Sequence, residues 1–187
     1  MGRFEAIAMG VSAGGLEALD LILPELTVSA DVAILVVQHL SPDVESHMPS
    51  ILNTRCDFEV KEAEDKEPIR PGVAYVAPPN YHLMVERDRC VALSTEPKVK
   101  HCRPSVDVLF DTAAEVYCHR LVGVILTGAN EDGADGLGKI KRLGGFTVVQ
   151  APDTALADAM PRAALSAVSV DAVVPLAEMG TFLNQLR

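Results

Sequence analysis

Short runs of apolar, β-favouring residues alternate along the chain with stretches whose apolar positions recur at helical spacing. Phe4 to Val11 and Val32 to Gln38 read as strands, while about Gly15 to Leu26 and about Val44 to Thr54 read as helices. The chain therefore opens β-α-β-α. Farther on, Val106, Leu109, Phe110, Ala113 and Ala114 stand at helical spacing, and Pro104 suits the first turn of that helix. "LVGVILTG" (121–128) reads as a buried strand and about Ala134 to Leu143 as a helix that Gly144-Gly145 stops. "FTVVQ" (146–150) is the next strand, and the last helix lies near Pro175 to Leu186. Strands that are apolar along their whole length and alternate with helices predict a mostly parallel sheet covered on both faces, a doubly wound three-layer α/β sandwich.

The middle of the chain breaks this rhythm. "PGVAYVAPPNYHLMVERDRCVALS" (71–94) has short alternating runs cut by Pro-Gly, Pro-Pro-Asn and Glu-Arg-Asp-Arg, which predicts an inserted β-hairpin or meander. No repeat, low-complexity run or linker interrupts the sequence, so residues 1–187 are expected to form a single domain.

Composition narrows the function classes. Twenty-six acidic against 16 basic residues give a formal charge of −10, which opposes nonspecific binding to nucleic acid or anionic lipid. Trp is absent and aromatic residues make up 4%, so a stacking platform for single-stranded nucleic acid is not expected either. The N-terminus lacks a long apolar stretch and a Lys/Arg-rich start, and no run approaches the roughly 20 apolar residues of a membrane span, so a cytoplasmic location is expected. Cys56, Cys90, Cys102 and Cys118 are scattered without a C-x-x-C pair, which fits reduced, mostly buried thiols; His101-Cys102 is the one Cys/His adjacency.

Groups that act on ligands in open parallel sheets gather beyond the carboxyl ends of the strands. Ser12 follows the first strand inside "GVSAGG", His39 follows the second, and Asp132 lies in "TGANEDGADG" after "GVILTG". Converging there, they would form a nucleophile, a base and an orienting acid. A serine hydroxyl reacts when a neighbouring imidazole takes its proton, and a carboxylate fixes the imidazole tautomer. Gly10, Gly14 and Gly15 permit a sharp strand-to-helix turn whose backbone N–H groups could hold an oxyanion.

Each residue also has a plainer role open to it. Ser12 could cap the following helix, His39 could be a satisfied histidine at a sheet edge, and Asp132 before Gly133 could be a turn residue. His47, His82, His101 and His119 are assigned to surface or loop positions, with His101 beside Arg103 at the border of a groove. A dinucleotide-binding reading fails, because Ser12 stands where the fingerprint needs Gly and Gln38-His39 where it needs an acid. No G-x-x-x-x-G-K-[ST] occurs, and the order Ser, His, Asp differs from that of the α/β-hydrolases.

Several long, ordered segments resemble one family, the catalytic domain of the bacterial chemotaxis protein-glutamate methylesterases (CheB). They are "GVSAGGLEAL", "VVQHLSP", "VKEAEDKEPIRPGVAYVAPPNYHLMV", "RPSVDVLF", "GVILTGANEDGADGL" and "AMPRAAL". Carried over by position, the family's nucleophile falls on Ser12, its histidine on His39 and its aspartate on Asp132. The resemblance implies hydrolysis of glutamate γ-methyl esters on the cytoplasmic helices of methyl-accepting chemoreceptors, releasing methanol. It also implies deamidation of receptor glutamines in some members, with no metal or organic cofactor. A catalytically weak signalling module that binds a receptor or sensor-kinase partner is the alternative. Ala13 stands where many members have Thr, Ala129 where a Met is common, and Cys102 where many read His-Arg directly. The sequence begins at the catalytic segment, without the receiver domain of many members, which leaves open a free-standing esterase, a piece of a longer protein, or control by a separate receiver or sensor-kinase protein.

Overall fold

Six residues, Ala6–Val11, form strand β1, and all six are buried. Ala6 and Ala8 pack into one core while Ile7, Met9 and Val11 pack into another, because successive side chains of a strand point to opposite faces. A strand apolar on both sides belongs inside a covered sheet, and β1 is central. The computed structural model describes residues 4–27, 31–39 and 47–186.

The other strands are β2 (Ala33–Gln38), β3 (Glu59–Glu62), β4 (Val73–Val76), β5 (His82–Val85), β6 (Val91–Ser94), β7 (Leu121–Ile125), β8 (Phe146–Gln150) and β9 (Ala172–Val174). Seven form one sheet in the order β3-β4-β2-β1-β7-β8-β9, with every pairing parallel. β5 and β6 pair antiparallel as a separate hairpin. The helices are α1 (Gly15–Ile22), α2 (Met48–Asn53), α3 (Val106–Tyr117), α4 (Ala134–Arg142), α5 (Ala159–Ala167) and α6 (Met179–Gln185). α3, α4, α5 and the hairpin cover one face around Leu35, Tyr75, Phe110 and Leu137, while α1, α2 and α6 cover the other around Met9, Leu19, Ile22 and Val36. Each fully buried side chain of this size contributes roughly 1.5–3 kcal/mol. The doubly wound α/β sandwich expected from the hydrophobic pattern is the observed fold.

Several boundaries shift, each for a local reason. The first helix ends at Ile22 and tightens into a 3₁₀ turn over Leu23–Glu25, where Pro24 has no N–H to continue the ladder. The second helix starts at Met48, and the earlier part of its expected span lies outside the described residues. Val73–Val76 belongs to the parallel sheet and not to the hairpin; all four residues are buried, as a strand covered on both faces requires. α3 begins at Val106 with Ser105 as its cap, so Pro104 lies just outside the first turn. Near the C-terminus, a 3₁₀ turn over Leu176–Glu178 precedes α6. β3, β9 and α5 carried no clear pattern in the sequence.

Strand order fixes where a site can form. From β1 the chain moves to β2 on one side, then returns to place β7 on the other side of β1. The order in which strands are added therefore reverses between β1 and β7, and the loops leaving their carboxyl ends diverge around a crevice.

Candidate active site

Ser12 leaves β1 at this crevice. Its N–H donates to Thr127 O (2.9 Å) on the segment leaving β7, and His39 N–H donates to Val11 O (3.0 Å). Gln38 ties the two strand ends together, its Nε2 donating to Ser12 O and His39 O, both at 2.9 Å. The turn closes through Gly14, whose φ of +77° is left-handed and disfavours any side chain, so Gly14 takes the cap position of α1. No side chain caps α1, so the Ser12 hydroxyl does not serve as a cap. Gly128 is required for a different reason: a Cβ there would come within 2.0 Å of Met160 Sδ and 2.9 Å of Ser12 Cβ. Among the described residues, the N–H groups of Ala13 and Gly14 meet no backbone acceptor and remain open beside Ser12.

Asp132 is built from the opposite direction. Its carboxylate is 1% exposed and sits on the N-terminus of α3. Oδ2 accepts from Val106 N (2.6 Å) and from His39 Nε2 (2.8 Å), and Oδ1 accepts from Ser105 Oγ (2.8 Å) and Asp107 N (3.1 Å). All four of its lone-pair positions are filled. Burial opposes the charge, but His39 and the two helix N–H groups outweigh it and hold the carboxyl below its ordinary value.

With Nε2–H on Asp132, the ring of His39 turns Nδ1 toward Asn130 and Cys102. Asn130 Nδ2 donates to Nδ1 (3.2 Å), while Asn130 Oδ1 accepts from Asp132 N (3.0 Å), which fixes the orientation of the amide. Burial alone would lower the imidazole pKa. The bond to Asp132, with Cys102 adding to it, prevails and lifts His39 from 6.5 to about 9. The Asn130 N–H aimed at Nδ1 works against this rise, because it favours an unprotonated nitrogen there. We take the net direction to be upward, since the Asp132 carboxylate carries a full charge.

The three residues expected at strand ends therefore come to one edge of the sheet. Ser12, His39, Cys102, Asn130, His101 and Arg103 border a cleft of about 180 Å³. His101 is exposed at its rim, as expected, while His47 and His119 are also exposed. His82 differs from its expected surface position. It is 1% exposed in β5, where Nδ1 accepts from Ser105 N (3.2 Å) and Nε2 donates to Pro97 O (3.2 Å), so both nitrogens are satisfied. The cysteines are half-buried and free instead of mostly buried.

Sequence reasoning missed Ser105, Asn130 and Thr127. Ser105 holds Asp132, Asn130 faces the histidine, and Thr127 Oγ1 donates to Ala13 O (2.8 Å) to brace the turn that carries Ser12. The polar residue before "VDVLF" was a legible sign of a helix cap, but not of its contact with Asp132. Chemically, a paired imidazole beside an uncommitted hydroxyl and open backbone N–H groups suits acyl transfer.

The comparisons agree with this geometry. The model of the CheB methylesterase family matches residues 7–183. A putative protein-glutamate methylesterase/protein-glutamine glutaminase of Leptospira interrogans is 49% identical, over 98% of this chain and 95% of that protein. The protein-glutamate methylesterase/protein-glutamine glutaminase of Archaeoglobus fulgidus is 39% identical over 92% of this chain and 50% of its own length. The crystal structure of the Thermotoga maritima CheB methylesterase catalytic domain superposes with a TM-score of 0.93, at 32% identity and over the full length of both chains. With the family model spanning nearly the whole chain and the fold shared throughout, the chain belongs to the CheB methylesterase family.

Proposed function

We propose that this chain is a protein-glutamate methylesterase in which Ser12 is the nucleophile, His39 the base and Asp132 the orienting acid. The observation that carries the reading is the His39–Asp132 pair. Its carboxylate is saturated and buried, and its imidazole borders the same cleft as an uncapped serine hydroxyl. Ser12 Oγ attacks the γ-carbonyl carbon of a glutamyl methyl ester and passes its proton to His39 Nδ1. That proton then leaves with methoxide as methanol. Water, deprotonated by the same nitrogen, cleaves the glutamyl-serine ester and regenerates Ser12. The Ala13 N–H, which meets no backbone acceptor among the described residues, would be the donor to the oxyanion.

The substrate class is the methylated cytoplasmic helices of chemoreceptors, as the family implies. The relatives' names pair ester with glutamine hydrolysis, and the same steps release ammonia from a glutamine side chain. Among the described residues no helix is long and apolar enough to cross a membrane. The test is methanol release from a methylated receptor signalling domain. The wild type is expected to release methanol and Ser12→Ala to fall by roughly 10⁴-fold or more. Undiminished release by the variant would remove Ser12 from its role. Receptor binding without hydrolysis by the wild type would favour a signalling module instead.

A further inference from the structure

One side chain at the cleft, the thiol of Cys102, is left unused by ester hydrolysis. Among the described residues, His39, Cys102 and Asp132 are the one group of three metal-ligating side chains whose donor atoms lie within 4.8 Å of one another. We propose that Cys102 Sγ and His39 Nδ1 form a two-point site for a thiophilic divalent cation such as zinc, and that its occupation silences the esterase. The consequence for activity rests on His39 being the base; the binding site itself does not.

Donor geometry supports the pairing. Sγ and Nδ1 are 3.9 Å apart. Zinc bonds of about 2.3 Å to sulfur and about 2.0 Å to nitrogen place tetrahedral donors roughly 3.5 Å apart, so a small rotation of the thiol closes the site. Asp132 is not the third ligand despite its proximity, since its four lone-pair positions are already taken. It acts one step behind. A carboxylate that accepts one ring N–H of histidine turns the other nitrogen outward as a ligand and raises its basicity, as in carboxylate-histidine-zinc sites.

The thiol is also held in place. Cys102 and Val99 exchange backbone hydrogen bonds (2.8 and 3.1 Å), Lys100 is pinned by Asp107 (2.9 Å) and Asp135 (2.8 Å), and Arg103 donates to Thr95 O and Glu96 O. Asn130 Nδ2 donates to Sγ at 3.3 Å. On binding, the Cys102 S–H bond breaks, its proton goes to solvent and a metal–sulfur bond forms. The lone pair of Nδ1 enters the second bond, displacing the Asn130 N–H from Nδ1 while leaving it on sulfur. The remaining positions of the cation face the cleft of about 180 Å³, where waters of about 30 Å³ each fit. An imidazole so engaged cannot accept the Ser12 proton.

The test uses the full chain in a non-chelating buffer. Cobalt(II) is titrated into wild type and Cys102→Ala while the thiolate-to-cobalt charge-transfer band is read, and zinc chloride is titrated into both during methanol release. The wild type is expected to develop the band at one equivalent and to lose activity to zinc reversibly, with recovery on adding a chelator. Cys102→Ala, compared with its own metal-free rate, is expected to lose the band and to need roughly tenfold more zinc or beyond. Absence of the band in the wild type, or its persistence in Cys102→Ala through Cys56, Cys90 or Cys118, overturns the site. A Cys102-dependent band with hydrolysis unaffected by zinc overturns the silencing. Because the band does not depend on turnover, it remains readable even if the esterase assignment fails.

Discussion

The two ends of the proposed catalytic arrangement are built in opposite ways. Asp132 is nearly inaccessible and accepts four hydrogen bonds, two of them from the first turn of α3. Ser12 stands on a glycine-rich turn whose backbone is tied on both sides, yet its hydroxyl caps nothing and borders the open cleft. The fold concentrates its hydrogen bonds on the group that, in the proposed mechanism, must stay charged and fixed, and withholds them from the group that must react. A nucleophile satisfied by the protein would have to lose that bond at every turnover, whereas an orienting carboxylate only improves as it is held more tightly.

The strongest way to break this contrast is to remove each end in turn. Ser12→Ala is expected to abolish turnover while leaving stability within about 0.5 kcal/mol, because little depends on the hydroxyl. Asp132→Ala should lower activity by roughly 10⁴-fold. It should also cost about 3 kcal/mol or more in urea unfolding, since Ser105, Val106, Asp107 and His39 lose their acceptor together. Equal stability losses in the two variants would contradict the asymmetry.

The pH profile sharpens it. In the proposed mechanism turnover needs unprotonated Nδ1, so kcat/KM should rise with pH and inflect above 6.5, toward about 9. Cys102→Ala should move the inflection down, and Asn130→Ala should move it up by removing the donor to Nδ1. The raised His39 contributes stability in full below about 6.5 and loses it as pH climbs through about 9. Asp132, with its depressed pKa, contributes stability above the unfolded value of about 3.9 and loses it as acid takes the pH through its lower folded value. An inflection at or below 6.5 would reverse the balance assigned to the pair.

Ser105→Ala is a smaller perturbation of the same anchor. It deletes one donor to Asp132 and the side-chain cap of α3, so about 1 kcal/mol of stability and roughly tenfold in kcat should be lost, with KM little changed. The smallest effect is expected at Leu156, which is 80% exposed and packs beside Gly14 at the mouth of the nucleophile turn. Leu156→Ser should leave thermal unfolding within about 0.5 kcal/mol and raise KM for a receptor fragment without changing kcat.

The contrast also marks what could be read from the sequence. Ser12, His39 and Asp132 were legible because each lies at or just beyond the carboxyl end of a largely apolar strand, and such an end is a local feature. Ser105, Asn130 and His82 were not, because their roles consist of partners 23 to 91 residues away. Local pattern failed in the same way for β3, an edge strand reading Glu-Val-Lys-Glu with one buried residue, and for β9, only three residues long. α5 was hidden by Pro161, which is tolerated in a first turn but reads as a breaker in sequence.

The bracing of the nucleophile turn bears on when the protein can work during its own synthesis. Ser12 N bonds Thr127 O, and Thr127 Oγ1 bonds Ala13 O across a separation of 114 residues. The strand that presents Ser12 emerges from the ribosome before β7, but its geometry waits for β7 and the segment after it to dock alongside. The N-terminal half, though it carries both the serine and the histidine, is therefore an unfinished site. The turn that carries Ser12 cannot be complete before β7 and the residues just after it have joined the sheet.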